Sequence, residues 1–247
     1  MPLQSIEPRR LYRQIADQLR RLIEAGDYPA GSRLPPERDL AAQLGVSRPS
    51  VREALIALEV EGWVDVRMGS GIYVLARDRS ATAPGRLSAD SPFEIIRARQ
   101  LIEGELAATA ALKMNCGQLA GLRHALMVMQ EESRRGIVPI RGDRMFHVRI
   151  AEAADNAVLL RLVGDLFDER NNPLFAKFGS HFENDANWQQ AIVEHAAVID
   201  AIAAKDPSAA REAMHRHLQN SQDRFAASLG TPADSAAEAL ALAAAAK

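Results

Sequence analysis

From Gly31 to Val74 the chain reads GSRLPPERDLAAQLGVSRPSVREALIALEVEGWVDVRMGSGIYV, and no other stretch limits the fold so tightly. Pro35 and Pro36 suit the first turn of a helix, where a missing N–H costs little. Leu40, Ala41 and Leu44 then share one helical face, and Gly45 follows where a left-handed C-cap belongs. Val46 turns inward and Ser47 is a natural N-cap for a second helix. Helix, tight turn and helix make a DNA-reading supersecondary unit. In the second helix Val51, Ala54, Leu55 and Leu58 form the core-facing stripe. Arg48, Ser50 and Arg52 stand near its N-terminus, away from most of that stripe, where such helices meet base edges. Arginine suits guanine O6 and N7, and serine suits a phosphate or a base. Two strands are expected at Trp63–Val66 and Ile72–Leu75. The glycines between them allow positive φ and close approach to a phosphate. These parts form a winged helix-turn-helix.

The charge of this segment does not by itself favour DNA. Residues 1–74 hold ten Arg, no Lys and ten Asp plus Glu, and the whole chain carries −2. The arginines must therefore be sorted to one face for phosphate attraction to act.

The run LPPERDLAAQLGVSRPSVREALIALEVEGWVDVRMGSGIYV resembles the GntR family of bacterial transcription regulators. That resemblance implies DNA contacts from Arg33, Arg38, Arg48 and Arg52, from Ser47 and Ser50 at the helix start, and from Gly69 at the wing tip. Leu11, Ile15, Leu19, Leu22 and Ile23 form the apolar stripe of a preceding helix, which would pack beneath the other two as in similar proteins.

At 247 residues the chain has room for about two domains. A winged domain is expected over 8–76, a polar Pro- and Gly-containing linker over 77–91, a helical domain over 92–228 and an alanine-rich tail over 229–247. The single Cys116 excludes an intramolecular disulfide framework and fits a reducing cytoplasm; it reads as a small helix-packing residue. The chain has no 18-residue apolar run, and Met1 to Arg10 lacks an apolar signal core, so neither a membrane span nor a signal peptide is expected.

After Pro92 helical stripes follow one another, near Phe93–Lys113, Gly117–Arg135, Arg141–Ala154, Ala157–Phe175, Ala186–Ala204 and Pro207–Ser228. Asn171-Asn172-Pro173 is a candidate break in the fourth. The fold class is thus mainly α: an N-terminal winged helix-turn-helix plus a C-terminal all-α antiparallel bundle. Of six histidines, three lie on inward faces. Asp143 and His147 are four residues apart on a face continued by Ile150, Ala151 and Ala154. His195 joins Ile192, Ile199 and Ile202. His217 joins Ala210, Met214, Ser221 and Phe225, while His215 sits about 200° away and reads as solvated. Two readings of Asp143, His147, His195 and His217 stand on the residues alone. They are hydrogen-bonded core groups, or they bind a divalent metal, with imidazole and one carboxylate suiting Zn²⁺ and also Ni²⁺ or Mn²⁺.

DRMFHVRIAEAADN, EHAAVIDAIAAKD and AMHRHL resemble the FCD effector domain of the FadR-type branch of GntR regulators. This implies that the four residues are metal ligands. It also implies that Arg99 receives an effector carboxylate, although Arg99 and Glu103 equally read as an i,i+4 ion pair. SPFEIIRARQLIEGELAATAA and DLFDERNNPLFAKF resemble the hexuronate-operon repressors within that branch, which implies a sugar-acid effector with Arg170 and Asn172 beside it. The expected protein is a cytoplasmic homodimeric repressor that binds double-stranded operator DNA and a small carboxylate. Two further readings are a regulator whose metal is purely structural and a metal-dependent hydrolase. The hydrolase is disfavoured, because the chain has no HExxH, no GxSxG and no evident general base.

Overall fold

The computed structural model describes residues 10–67, 69–76 and 90–226. Residues 8–9, residues 77–89 of the expected linker, residues 227–228 and the whole alanine-rich tail lie outside them. The described residues hold ten α-helices and one two-stranded sheet, in two compact units.

The N-terminal unit contains α1 (Leu11–Ala25), α2 (Glu37–Leu44), α3 (Arg48–Val60), β1 (Val64–Arg67) and β2 (Gly71–Val74). Helix α1 packs on α3, which also supports α2 and β1. The α2–α3 turn forms as the residues dictate. Gly45 is left-handed at φ 66°, and the Ser47 side chain accepts the Ser50 N–H to cap α3. The strands pair antiparallel in the register Val64 to Val74. Ser32 and Leu34 extend the ladder along β2 through Val74 N–H to Ser32 O (2.9 Å) and Leu34 N–H to Ile72 O (2.8 Å). On α1 the buried stripe is Tyr12, Ile15, Ala16 and Leu19, and Leu11 is 47% exposed. Leu11 opens the helix, and Tyr12 fills the core position instead.

The second unit spans Asp90–Phe225. It contains α4 (Pro92–Lys113), α5 (Cys116–Arg134), α6 (Ile140–Glu152), α7 (Ala157–Asp168), α8 (Pro173–Phe182), α9 (Asp185–Ala203) and α10 (Pro207–Ala226). Asn172-Pro173 does break the expected fourth helix. A 3₁₀ turn at Glu169–Asn171 ends α7, and the Asn172 side chain caps α8 by accepting the Phe175 N–H at 2.7 Å. The core is built from α4, α5, α6, α9 and α10, with Leu122, Met129, Phe146, Ile150, Val198 and Met214 fully enclosed.

Two expectations about this unit are corrected. Cys116 is exposed, because it begins α5 just after the Asn115 capping box. His215 is not fully solvated. Its ring lies against Gly104 of α4, where a Cβ would collide with Nε2, so close packing of α4 and α10 half-buries it.

Gly142 explains how α6 comes so near α5. A Cβ there would stand 2.6 Å from the Met129 backbone nitrogen, and the Gly142 N–H donates to Glu132 Oε2 at 3.1 Å. Backbone cannot swing aside as a side chain can. Gly142→Ala is therefore expected to lower stability by about 1–3 kcal/mol through overpacking, read as a fall in the denaturation midpoint. An unchanged midpoint would show that the two helices separate without penalty.

Candidate metal centre, ligand pocket and nucleic-acid interface

Three helices of the second unit converge on one buried cluster. Asp143 and His147 come from α6, His195 from α9 and His217 from α10, all nearly inaccessible. Each offers a ligand atom, and the four atoms lie within 4.8 Å of one another. Asp143 Oδ1 is 3.0 Å from His195 Nε2 and 3.4 Å from His147 Nε2, and those two nitrogens are 3.4 Å apart. Ligands at about 2.0–2.2 Å from a divalent ion lie about 3.0–3.5 Å apart along the edges of its coordination polyhedron. The donor set and spacing fit such an ion.

The opposite nitrogens strengthen the fit. His147 Nδ1 meets Glu103 Oε2, His195 Nδ1 donates to the Ala191 carbonyl at 2.6 Å, and His217 Nδ1 donates to Glu194 Oε2 at 2.9 Å. Holding Nδ1 in this way fixes the ring and leaves Nε2 as the ligand atom. Burial pushes the His217 pKa down to about 3, helped by the neighbouring His195, so its imidazole is neutral. Burial works against charge on Glu103 and Glu194. Arg99 and His147 outweigh it for Glu103, and hydrogen bonds from His217 and Arg224 outweigh it for Glu194, so both pKa values fall to about 2.

A cavity opens beside this cluster, with about 480 Å³ of unfilled space including its mouth. Asp143 and His217 form part of its wall, with Arg99, Arg170, Arg224 and Trp188 around them. Arg99 forms the i,i+4 ion pair that the sequence allows. Its Nε donates to Glu103 Oε1 at 2.6 Å, while its Nη2 is buried without a hydrogen-bond partner. Arg170 Nη1 donates to Asp143 Oδ2 at 3.0 Å and Nη2 donates to Glu183 Oε1 at 2.5 Å. Arg224 clasps Glu194 through Nη1 and Nη2, at 2.9 and 3.2 Å.

Asn172 does not line the cavity, contrary to expectation. Its oxygen caps α8 and its Nδ2 donates to Glu169 Oε2 at 3.2 Å, so both ends of the amide are committed to the chain break before Pro173. Sequence reasoning also missed Glu194, Arg224 and Trp188. Glu194 directly precedes His195 in the chain, so the two point about 100° apart, and Glu194 serves a histidine on another helix, which no spacing within one helix can reveal.

In the N-terminal unit Arg33, Arg38, Ser47 and Gly69 are exposed, and Arg48 and Ser50 are partly so. Gly69 is left-handed at φ 71°, as a wing turn requires. Arg38 pairs with the exposed carboxylate of Asp39, at 3.3 Å. Arg52 departs from the expected DNA-facing set. Its side chain is buried and grips Glu37 in a two-point pair, Nε to Oε1 at 2.9 Å and Nη2 to Oε2 at 2.6 Å. Glu37 opens α2 and is itself 5% exposed. Its charge, enclosed between the two helices, draws the guanidinium inward and locks α2 to α3.

Residues 11–74 match the bacterial regulatory proteins of the gntR family, and residues 94–220 match the FCD domain. The Exu regulon transcriptional regulator of Escherichia coli (strain K12) is 38% identical over 225 residues, covering 87% of this chain and 84% of that protein. The Uxu operon transcriptional regulator of the same organism is 37% identical over 223 residues, covering 87% of each. A third relative there, named for an L-lactate dehydrogenase operon, is 36% identical over 220 residues, covering 85% and 84%. With both units accounted for, the chain belongs to the GntR family of bacterial regulatory proteins, carries an FCD domain, and is a DNA-binding transcriptional regulator rather than an enzyme.

Proposed function

We propose that the protein is a cytoplasmic homodimeric repressor of sugar-acid catabolism, released from its operator by a hexuronate or a related hydroxy acid. The observation that carries this reading is Arg99 Nη2. It is a buried donor without a partner, on the wall of a cavity that Asp143 and His217 also line. A buried guanidinium nitrogen left unpaired is costly, and a carboxylate oxygen satisfies it with a charge-assisted bond. Relatives named for the Exu regulon and the Uxu operon support a hexuronate.

Asp143, His147, His195 and His217 would hold a divalent ion, with Zn²⁺ favoured and Ni²⁺ or Mn²⁺ as alternatives. Such an ion supplies an electrophile that can take an effector oxygen. Arg99 orients the carboxylate, and Arg170 and Arg224 add positive charge around it. At the DNA, Arg48 reads a base edge from the start of α3. Ser47, Ser50, Arg33 and Arg38 take phosphates or neighbouring bases, and Gly69 lets the wing backbone approach. Two copies would read a pseudo-palindrome, since operator symmetry mirrors dimer symmetry. Leu101 and Leu112 on α4 and Val158 on α7 are 77%, 69% and 61% exposed, apolar surface that a second copy would cover.

The test uses metal-loaded full-length protein and operator DNA selected in vitro against it. D-glucuronate or D-galacturonate is expected to weaken operator binding by about 5–150-fold, and DNA must weaken effector binding by the same factor. Arg99→Lys keeps a cation beside Glu103 but removes the planar fork. It should retain operator affinity and lose most of the release. Full release in Arg99→Lys would remove Arg99 from the effector site.

A further inference from the structure

A second unpaired donor belongs to a residue in the wall of the same cavity. Trp188 stands in the second turn of α9, 8% exposed, and its Nε1–H is buried with no hydrogen-bond partner. Its ring lines the cavity, with the Arg170 guanidinium 5.7 Å from its centroid. Buried indoles ordinarily find an acceptor for this N–H. Several of the neighbouring polar groups are already engaged. Arg170 holds Asp143 and Glu183, Arg224 holds Glu194, and Asn187 Nδ2 donates to the Phe182 carbonyl at 2.5 Å.

Indole N–H only donates and carries no charge in either role. Its missing partner is therefore an acceptor atom, and it gives no special advantage to a carboxylate. Arg99 Nη2 already provides the charged contact, and it stands on a different helix, α4. The two orphaned donors ask for two separate oxygen functions on one ligand.

We propose that Trp188 is the specificity-determining residue of this cavity, donating its Nε1–H to a hydroxyl, carbonyl or ring oxygen of a carboxylate held by Arg99. The ligand class is thus a polyhydroxylated acid, and plain carboxylates of similar size are rejected. This rests on the effector reading above, and it adds a selection that Arg99 cannot make. A site built to hydrogen-bond an oxygen discriminates strongly against the analogue that lacks it, because its own buried donor is then left empty.

The experiment measures binding of D-glucuronate, D-galacturonate, D-gluconate, L-lactate and cyclohexanecarboxylate to metal-loaded full-length protein by calorimetry. The wild type is expected to bind at least one polyhydroxylated acid about tenfold or more tightly than cyclohexanecarboxylate. Trp188→Phe keeps a ring and removes the N–H. It should cost the hydroxylated acid about tenfold or more and change the plain acid by less than about twofold. Equal affinity in Trp188→Phe, or equal loss for both acid types, overturns the role of Trp188. Because the chain has two tryptophans, Trp63→Phe leaves Trp188 as the sole indole emitter. A shift of its emission at saturation supports the contact, and an unmoved spectrum overturns it even should Trp188→Phe fold poorly. If both uronates fail but D-gluconate binds through Trp188, the hexuronate reading falls and the Trp188 inference stands. If no hydroxylated acid binds the wild type, both fall.

Discussion

Replacing His195 by alanine is expected to abolish binding of the divalent ion proposed for the helical unit. His195 is central to the cluster, since its Nε2 lies within 3.4 Å of both Asp143 Oδ1 and His147 Nε2. Losing it should weaken metal binding by more than the about 10–100-fold typical when an outer partner is removed. Glu194 provides that milder comparison. Glu194→Ala frees His217 Nδ1 and Arg224 together and should fall within the 10–100-fold range. Elemental analysis after dialysis, followed by chelator competition, reads both. A variant His195→Ala that keeps one equivalent per chain would refute the ligand set. Metal loading should also raise the thermal midpoint of the wild type, because a ligand at about 100 times its Kd stabilises by about 2.7 kcal/mol. That rise should vanish in His195→Ala.

Arg52→Ala should destabilise the winged unit severely. Removing one partner of a buried two-point pair leaves a carboxylate that is nearly inaccessible and uncompensated, a loss of about 3–5 kcal/mol. Glu37 is in that position, at 5% exposure between α2 and α3. The measurement is chemical denaturation of the full chain, followed through Trp63 in a Trp188→Phe background. Replacing both partners by apolar residues, Arg52→Met with Glu37→Leu, should recover most of the loss. Arg48→Ala provides the contrast, because Arg48 is only half-buried at the start of α3. It should weaken operator binding while leaving the midpoint in place. Were Arg52 a base reader in the folded unit, its alanine variant would lose DNA affinity without losing stability.

The contrast between Arg48 and Arg52 shows how far helical spacing reaches. The two stand four residues apart, so a helical projection places them on the same face. It contains no information about Glu37, fifteen residues upstream of Arg52, whose buried carboxylate claims that arginine. Tyr12 and Leu11 differ for a similar reason. Both are apolar and adjacent, and shelter from the rest of the unit decides which enters the core.

The inward placement of Asp143, His147, His195 and His217 was largely legible because each residue is marked by the pattern of the helix that bears it. Asp143 with His147, His195 and His217 all fall on stripes whose other members are apolar, and periodicity puts such residues inside. That three helices bring them within 4.8 Å is a tertiary fact. So are the outer partners. Glu194 lies next to His195 in the chain, yet it holds His217 of α10.

The sequence alone determined which elements form and which faces are buried, because caps, glycines and apolar period act within a few residues. It thereby established the winged helix-turn-helix and the all-helical bundle. The tertiary structure decided which charges and donors are left over. Arg52 is used up by Glu37, while Arg99 Nη2 and Trp188 Nε1 stay unsatisfied beside the cluster. Whether a buried polar atom has a partner depends on groups from distant parts of the chain arriving within about 3 Å, and only the packed fold fixes those distances.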